Sequence, residues 1–413
     1  MPAEIAVLVL NYNEKECLLR CLEACAKLDQ DGVRVNLVCI DNGSGDGSVE
    51  AVGRLFPDVR VIGFPRNLGF APAYNKAISA VDSEWVALLN NDALPDPAWL
   101  TAAYAAACRH DSPCVGSRMV KDQGSRIDYV GTTMNFYGHG FHPRFDEPAT
   151  DKGAEGPVIA PCGGAMLCRR DVFLEAGGFD DEYFAYFEDL DLGWRLNLMG
   201  HEVYYAPESL VYHEHSTTAN RVPAYQRLAW SERNGLRSVV KNYGDLRLAR
   251  ILPVALALCV KRAQLDSAID PDRFFFEKTS GAPRRKPAPK RQAPRPRLGR
   301  LASILRERGP VDGGLYAAYR LLGRRFGLAD SAGDGLDAMN RAGFARIAAI
   351  EAVVAGAREL EEKRAAVQQA RRRSDESVAE LFVDTFRPSF PHPELKTCQD
   401  ELVDAFKLRE LFP

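Results

Sequence analysis

The sequence predicts an α/β protein with a mostly parallel sheet, flanking helices and an additional α-helical module at its C-terminal end. Across the first hundred residues, short β-branched runs alternate with amphipathic helical patterns, which is typical of a parallel sheet. Beyond about residue 300 the chain is instead rich in Ala, Arg, Glu and Leu, and apolar residues repeat at helical spacing from Phe344 to Leu360. A chain of 413 residues is long enough for one large domain and a smaller one.

Four strands are predicted in the first hundred residues, each followed by a helix. The strands are Ile5 to Leu10, Val33 to Ile40, Val59 to Phe64 and Trp85 to Leu89. The helices begin near Glu14, Ser48, Ala71 and Pro97. Cys17, Cys21 and Cys25 recur every four residues on the first helix, which favours core filling, because a structural metal site would need a fourth ligand.

The rest of the chain divides by composition. A dense region from about residue 158 to 216 is followed by helical sequence. Residues 283–300 contain eight Lys or Arg, five Pro and no acid, which indicates an extended connector. We therefore expect four segments: an α/β domain over 1–245, an amphipathic helical extension over 246–281, a linker over 282–300 and a helical module over 301–413.

Net charge and cysteine pattern exclude some classes of protein. The formal net charge of -3 makes no case for nucleic acid binding, which needs a strong basic excess. Ten cysteines without regular spacing do not suggest an extracellular disulfide framework. The first apolar run is too short for a signal peptide, and the run from Ile251 to Val260 is too short to span a bilayer. We therefore expect a protein of a reducing compartment, the cytoplasm.

Polar residues follow each of the four predicted strands. The strand ends read Asn11-Tyr12-Asn13, Asp41-Asn42, Arg66-Asn67 and Asn90-Asn91-Asp92. Ligands of open α/β sheets bind beyond the carboxyl ends of the strands, so these residues can face one crevice. Turn preference alone explains any one such end, but four in succession favour a binding site.

The first of these turns carries no glycine, whereas a dinucleotide-binding turn needs a G-x-G-x-x-G pattern. A nicotinamide or flavin oxidoreductase is therefore not expected. Asp41 follows the second strand, where a carboxylate can accept hydrogen bonds from a base or a ribose hydroxyl. The pattern predicts a nucleotide ligand.

Two acidic clusters suggest the chemistry. Asp92 lies at a sheet edge, where a carboxylate with open coordination positions can bind Mg²⁺ or Mn²⁺ together with phosphate oxygens. The string Glu188-Asp189-Leu190-Asp191 is surrounded by apolar residues, which raise the pKa of a carboxylate towards that of a general base. A helix cap at Asp92, or acids complementing a helix dipole at the second cluster, would produce the same sequences.

Together these residues resemble family 2 glycosyltransferases, most closely the rhamnosyltransferase-like branch, over about residues 3 to 250. The resemblance implies a GT-A fold, a nucleotide-diphosphate sugar donor, a divalent metal and an inverting transfer. The matching strings, in order, are Asn11-Tyr12-Asn13, Asp41-Asn42-Gly43-Ser44, Arg66-Asn67-Leu68-Gly69-Phe70, Asn90-Asn91-Asp92, Cys162-Gly163-Gly164-Ala165, Gly177-Gly178-Phe179-Asp180, Glu188-Asp189-Leu190-Asp191 and Tyr212-His213-Glu214-His215-Ser216.

The resemblance also implies roles for single residues. Asp189 matches the catalytic base and Glu188 its acidic neighbour, while Asp92 matches the last acid of the family's metal-binding motif. Asn90 stands where an Asp is common, and His213 matches a histidine that completes the metal site in some relatives. The expected donor-binding residues are Asn11, Asn13, Asp41, Arg66, Asn67, Asn90, Asn91, Gly163 and Gly164.

The implied function is transfer of a sugar, rhamnose being the first choice, to a glycan or lipid-linked acceptor in cell-envelope polysaccharide synthesis. A non-catalytic nucleotide-sugar-binding module and a methyltransferase are the alternatives. Basic residues bracket the run from Ile251 to Val260, so this helix either lies on the inner face of the membrane or packs against the catalytic domain. The C-terminal helices can mediate oligomerisation.

Overall fold

The computed structural model describes residues 2–214, 222–267 and 335–412. Its strands are β1 (Ala3–Asn11), β2 (Val33–Asp41), β3 (Arg60–Gly63), β4 (Trp85–Asn90), β5 (Ala93–Pro95), β6 (Cys114–Lys121), β7 (Arg126–Tyr129), β8 (Thr133–Met134), β9 (Gly140–Phe141), β10 (Gly156–Val158), β11 (Ala165–Arg169) and β12 (Val203–His213). The helices are α1 (Lys15–Cys25), α2 (Ser48–Leu55), α3 (Phe70–Ser79), α4 (Trp99–His110), α5 (Arg170–Glu175), α6 (Glu188–Leu198), α7 (Ala224–Asn242), α8 (Asp245–Asp266), α9 (Gly335–Ala355), α10 (Ala357–Ala370), α11 (Asp375–Ala379) and α12 (Pro393–Ala405).

Ten of the described strands form a mixed, mostly parallel sheet in the order β10-β12-β6-β11-β4-β1-β2-β3, with β5 attached to β12 and β7 to β6, and β8 pairs with β9 in a separate two-stranded sheet. Strands β4, β1, β2 and β3 run parallel to one another. Strand β11 is antiparallel to both of its neighbours, β4 and β6. The four strands and four helices expected in the first hundred residues are confirmed, each helix beginning within two residues of its predicted start.

Apolar side chains cover both faces of the sheet. One core cluster joins the inner strands to α1 and α4, and a second joins them to α3, α5 and α6. Cys21 and Cys25 lie in the first cluster, as core filling predicts, whereas Cys17 is only half-buried. Strands buried on both faces explain why β1 and β4 are nearly continuous apolar runs.

Helix α8 packs against the protein, which favours the second of the two alternatives for its apolar run. Arg262 forms a bidentate pair with buried Glu232, and Arg247 and Lys261 form ion pairs with Glu376 and Glu394. These cations therefore have protein partners. None of the helices in the described ranges is long and apolar enough to cross a membrane.

The helices of the C-terminal region form as expected, while the segment boundaries given above stay a prediction. Residues 344–413 belong to one compact unit with residues 1–263, and residues 264–343 form a second unit. Gln368 Nε2 donates to the carbonyl of Lys241, and the backbone N–H of Phe136 donates to the carbonyl of Thr385. The linker expected at 282–300 lies outside the described residues.

The apolar repeat that predicts the C-terminal helices does not mark their buried face. Phe344 and Val354 are 71% and 68% exposed, whereas Ala345, Ala349 and Leu360 are buried. Small residues allow close packing, so the face that docks is the alanine face of α9. Helical periodicity identified the helix but not its orientation.

Candidate active site

The carboxyl ends of the central strands bring the predicted polar residues together. Asn11 at the end of β1 lies in register with Asp41 at the end of β2, and Leu10 lies in register with Asn90 at the end of β4. Asn91 Nδ2 donates to Asn11 Oδ1 over 2.9 Å. The predicted convergence of these strand ends at one edge is therefore present in the structure.

Asn11 and Asn13 organise the loop that follows β2. The buried Asn11 amide donates to the hydroxyls of Ser44 and Ser48 over 3.1 and 3.0 Å. Asn13 has a left-handed backbone, with φ 54°, and its Oδ1 accepts from the backbone N–H of Gly45. The side chains of both asparagines thus bind the loop, whereas the sequence predicts contacts with the donor itself.

Asp41 and the loop containing Arg66 and Asn67 form the next wall. The backbone N–H of Ser44 donates to the Asp41 carboxylate, and Asn67 Oδ1 accepts from Asn42 Nδ2 over 3.0 Å. A Cβ atom added to Gly43 would lie 2.6 Å from Arg66 Cα, so only glycine lets these loops touch. Arg66 itself is exposed.

The Gly163-Gly164 turn connects the strand ends to α6. The backbone N–H of Gly163 donates to Asp189 Oδ2 over 2.8 Å, and the carbonyl of Gly164 accepts from the backbone N–H of Asn90 over 2.9 Å. A Cβ on Gly164 would lie 3.0 Å from Asn90 Nδ2, which is tighter than an ordinary contact. Asn90 and Asp189, ninety-nine positions apart in sequence, therefore meet across two adjacent glycines.

Glu188 and Asp189 begin α6 in an apolar environment. Burial, partly offset by backbone N–H donors from Gly163 and Leu190, raises the pKa of Asp189. Burial and then the charge on Asp189 raise the pKa of Glu188 well above its ordinary value. Within the described residues Glu188 Oε2 has no hydrogen-bond partner. Of the two, Asp189 is the carboxyl that ionises first, because backbone donors favour its charged form.

Asp92, His213 and Asp128 form a chain of side chains at the end of β12. His213 Nε2 lies 3.2 Å from Asp92 Oδ1, and His213 Nδ1 lies 2.7 Å from Asp128 Oδ2. Burial disfavours the imidazolium, but the hydrogen bonds to Asp128 and Asp92 outweigh it and raise the pKa of His213 to about 9. The sequence predicts Asp92 and His213 here. His215 and Ser216 lie outside the described residues.

The side chains of Asp92, His213 and Asp128 offer the kinds of ligand atom that a divalent cation binds. When Asp128 accepts the Nδ1 proton of a neutral imidazole, Nε2 is left to bind a cation next to the Asp92 carboxylate. Mg²⁺ typically takes one or two carboxylates and completes its shell with substrate phosphates and water. In the described ranges no cluster of three or more His, Cys, Asp or Glu could hold a metal ion. The residues fit a cation that shares its coordination with a bound diphosphate.

Asp128 is the residue of this group that the sequence does not predict. It lies on the short strand β7, outside every motif quoted above, and it is 85 positions from His213. Strand β7 pairs with β6, and β6 pairs with β12, which carries His213. The contact depends on this pairing of non-adjacent strands, so no local sequence signal marks Asp128.

Comparison with known proteins agrees with the geometry. The family model for Glycosyl transferase family 2 matches residues 6–177. The N-acetylglucosaminyl-diphospho-decaprenol L-rhamnosyltransferase of Mycobacterium tuberculosis is 30% identical over 216 residues, which cover 46% of this chain and 70% of that protein. The pre-mycofactocin glycosyltransferase of the same species is 29% identical over 166 residues, covering 39% of this chain and 33% of that protein.

Among solved structures, a mannosyltransferase from Pyrobaculum calidifontis in complex with GDP-Man and Mn²⁺ superposes with a TM-score of 0.47 and 17% identity, covering 85% of this chain and 86% of that one. The family assignment rests on the sequence matches. The chain belongs to glycosyl transferase family 2, in its rhamnosyltransferase-like branch.

Proposed function

We propose that the chain transfers a sugar from a nucleotide-diphosphate donor to a hydroxyl of a glycan or lipid-linked acceptor, with inversion at the anomeric carbon. The observation that carries this proposal is the Gly163-Gly164 turn. The turn holds Asp189 on one side through the N–H of Gly163 and Asn90 on the other through the carbonyl of Gly164. The turn thereby brings the proposed proton acceptor, Asp189, next to the strand end at Asn90, which would lie on the side of the donor diphosphate.

Asp189 is the proposed general base. In an inverting displacement the acceptor hydroxyl forms a bond to the anomeric carbon, the bond from that carbon to the diphosphate breaks, and the hydroxyl proton passes to Asp189. Its raised pKa makes Asp189 a stronger base than an exposed Asp. Burial and the charge on Asp189 raise the pKa of the neighbouring Glu188, which disfavours two adjacent charges on this pair.

The strand ends would hold the donor. Asp41, at the end of β2 before the loop that Asn11 and Asn13 bind, would accept hydrogen bonds from the nucleoside, and Arg66 is an exposed cation on the neighbouring loop. Asp92 and His213 are the proposed ligands of Mg²⁺ or Mn²⁺. A divalent cation bound there would act as a Lewis acid towards the charge that develops on the leaving diphosphate.

The donor and acceptor classes follow from the relatives. The mycobacterial relative is named as an L-rhamnosyltransferase acting on N-acetylglucosaminyl-diphospho-decaprenol. By extension we propose dTDP-rhamnose as the first donor to test, UDP-sugars next, and a polyprenyl-diphosphate sugar as the acceptor. Such an acceptor would place the enzyme at the cytoplasmic face of the membrane, in cell-envelope polysaccharide synthesis. We propose residues 1–245 as the part that carries the transfer.

The test is product formation with a panel of dTDP-, UDP- and GDP-sugars and a bacterial lipid-linked acceptor extract, with Mg²⁺, Mn²⁺ or EDTA. We expect one donor to give a glycosylated lipid in the presence of metal. A ligand at 100 times its Kd also adds about 2.7 kcal/mol of stability, which a thermal-shift panel detects. If no nucleotide diphosphate or nucleotide sugar binds or reacts, the transferase proposal is wrong. Donor binding without transfer would support a non-catalytic module.

A further inference from the structure

Three aromatic side chains lie together, two of them on the segment immediately before the proposed base and the third on α7. The ring centroids of Phe184 and Trp230 are 4.8 Å apart with an interplanar angle of 32°, and those of Tyr186 and Trp230 are 6.3 Å apart at 30°. All three residues are half-buried. We call Phe184, Tyr186 and Trp230 the aromatic platform. None of these residues belongs to the strand ends or acidic pairs described above.

The backbone under the platform is held in an unfavourable conformation. Tyr186 and Phe187 have φ of 72° and 65°, in the left-handed region that bulky residues rarely adopt. Such strain costs about 1 to 3 kcal/mol per residue and clusters at functional sites. It persists here because fully buried Asn234 donates from Nδ2 to the carbonyls of Ala185 and Tyr186, over 3.0 and 2.7 Å.

Helix α7 fixes the same segment at two further points. The hydroxyl of Tyr183 donates to the carbonyl of Asn234 over 2.9 Å and lies 3.0 Å from the hydroxyl of Ser238. Trp230 is on this helix, one turn before Asn234. The helix therefore supplies both one ring of the platform and the hydrogen bonds that set the positions of the other two.

The backbone of the platform is connected to the groups proposed for catalysis through Phe70. The carbonyl of Phe184 accepts from the backbone N–H of Phe70 over 2.6 Å. A Cβ on Gly163 would lie 3.3 Å from Phe70 Cζ and 3.4 Å from Asp189 Cβ. Asp189 follows Tyr186 by three positions. The platform is thus joined through Phe70 to the Gly163 turn, which holds the carboxylate that would take a proton from the acceptor.

The chemistry of these rings selects one class of ligand. A diphosphate needs cations or backbone N–H donors, whereas an aromatic face offers apolar area. A sugar ring presents C–H groups on one face and hydroxyls at its edge, so it can stack on an aromatic face while one hydroxyl reaches a neighbouring carboxylate.

We propose that the aromatic platform of Phe184, Tyr186 and Trp230 binds the sugar ring of the acceptor and directs its hydroxyl to Asp189. This inference rests on the proposed glycosyl transfer and adds to it the position of the acceptor sugar. It assigns Trp230 to acceptor recognition and not to the donor.

The test compares Trp230→Ala, Trp230→Phe and Tyr186→Gly with the full-length parent chain. Initial rates are measured at varied acceptor and saturating donor, and then at varied donor. We expect Trp230→Ala to lower kcat/KM for the acceptor about 10-fold or more, the scale of one buried aromatic contact, with donor KM within about twofold. Trp230→Phe should recover most of the loss. Tyr186→Gly removes a ring at a position whose φ suits glycine, so it provides a second variant if Trp230→Ala unfolds.

Tyr204→Ala is the matched control, because Tyr204 is a half-buried aromatic that stacks on His110 at 4.2 Å, near the start of β12 and away from His213. It should leave acceptor kcat/KM unchanged. If the parent chain is active and Trp230→Ala and Tyr186→Gly keep normal acceptor kcat/KM, the platform proposal is wrong and the transfer proposal stands. An equal decrease in kcat/KM for the acceptor and for the donor would also overturn the platform proposal. A parent chain that neither binds a donor nor forms product overturns both proposals.

Discussion

Two pairs of buried carboxyls lie within twelve positions of each other and behave in opposite ways. Asp180 and Asp191 both contact Lys241 Nζ, over 2.6 and 2.9 Å, and Asp191 also accepts from Arg195 Nε over 2.9 Å. Burial raises the pKa of each, but the charge of Lys241 and a neighbouring arginine outweighs burial and lowers it. Glu188 and Asp189, in contrast, have raised pKa values.

The difference shows that a cation in reach, and not burial alone, decides whether a buried carboxylate keeps its charge. Asp189 and Asp191 lie on the same helix, separated by one residue. Asp191 faces Lys241 and Asn242 and so joins α6 to α7, while Asp189 faces the Gly163 turn. One helix therefore carries a fixed anion that contributes to packing and a second carboxyl, the proposed base, whose pKa is raised.

The largest effect should follow removal of the shared cation. Lys241→Met leaves Asp180 and Asp191 buried with fewer positive partners, and breaking a buried pair in this way costs about 3 to 5 kcal/mol. Urea unfolding monitored by tryptophan fluorescence should show this loss in the free energy of unfolding. Lys363→Met is the control, since Lys363 contacts Asp180 from a half-exposed position and its loss should cost less. A decrease below about 1 kcal/mol for Lys241→Met would contradict the comparison.

Next in size is the loss of the proposed base. Asp189→Asn should lower kcat about 10²-fold or more and leave donor binding intact, because only proton transfer is removed. Glu188→Gln should cost less than about 10-fold, because Gln resembles the protonated carboxyl that Glu188 keeps. Discontinuous or coupled assays of nucleoside diphosphate release measure kcat for both variants. Near-normal turnover in Asp189→Asn would remove Asp189 from the mechanism.

Asp128 extends the comparison to a carboxylate whose partner is a histidine, His213. Asp128 binds His213 Nδ1, and loss of such a partner typically weakens metal binding by about 10- to 100-fold. Asp128→Asn should therefore raise the Mn²⁺ concentration needed for half-maximal activity within that range. Asp122→Asn, an exposed acid close by in sequence, is the matched control and should have no effect. An unchanged Mn²⁺ requirement in Asp128→Asn would mean that Asp128 does not act through the metal site.

The smallest expected effect is the change of kcat with pH, which is also the most readily reversed. Asp189 must be ionised to act as a base, so kcat should fall about tenfold per pH unit as pH drops below its raised pKa. The stability from Asp180 and Asp191, whose folded pKa values are lowered, is present above their ordinary pKa near 3.8 and is lost only as pH falls through the lowered values. Activity should thus disappear while circular dichroism still reports the folded chain. Coincident loss of both would contradict the assignment.

Sequence reasoning succeeded where the signal was local. Alternation of apolar runs and turns located β1 to β4, and strand-end polar residues such as Asn11 and Asp41 were correctly expected to lie at one edge. It did not find Asp128 or Lys241. Their partners are 85 and 61 positions away, and a lysine in a helical pattern indicates a solvated face unless the fold is known.

The same limit applies to the C-terminal region. Helical spacing predicted helices near residues 344–360. The packing of the three helices α9, α10 and α11 against the rest of the protein depends instead on complementary charges and hydrogen bonds between residues far apart in sequence. Arg237, for example, contacts both Asp180 and Glu359, the latter 122 positions away. Such contacts cannot be read from periodicity, which reports only which side of a helix is apolar.

The contacts between residues 133–136 and 383–387 bear on how the chain is synthesised. Thr133 exchanges hydrogen bonds with the backbone of Val383, and Asn135 Nδ2 donates to the carbonyl of Arg387. These partners are 250 and 252 positions apart. A ribosome that has translated residues 133–136 must continue to residues 383–387 before these partners can meet. Closure of this part of the molecule is thus a late step in folding, and contacts of such sequence separation form slowly.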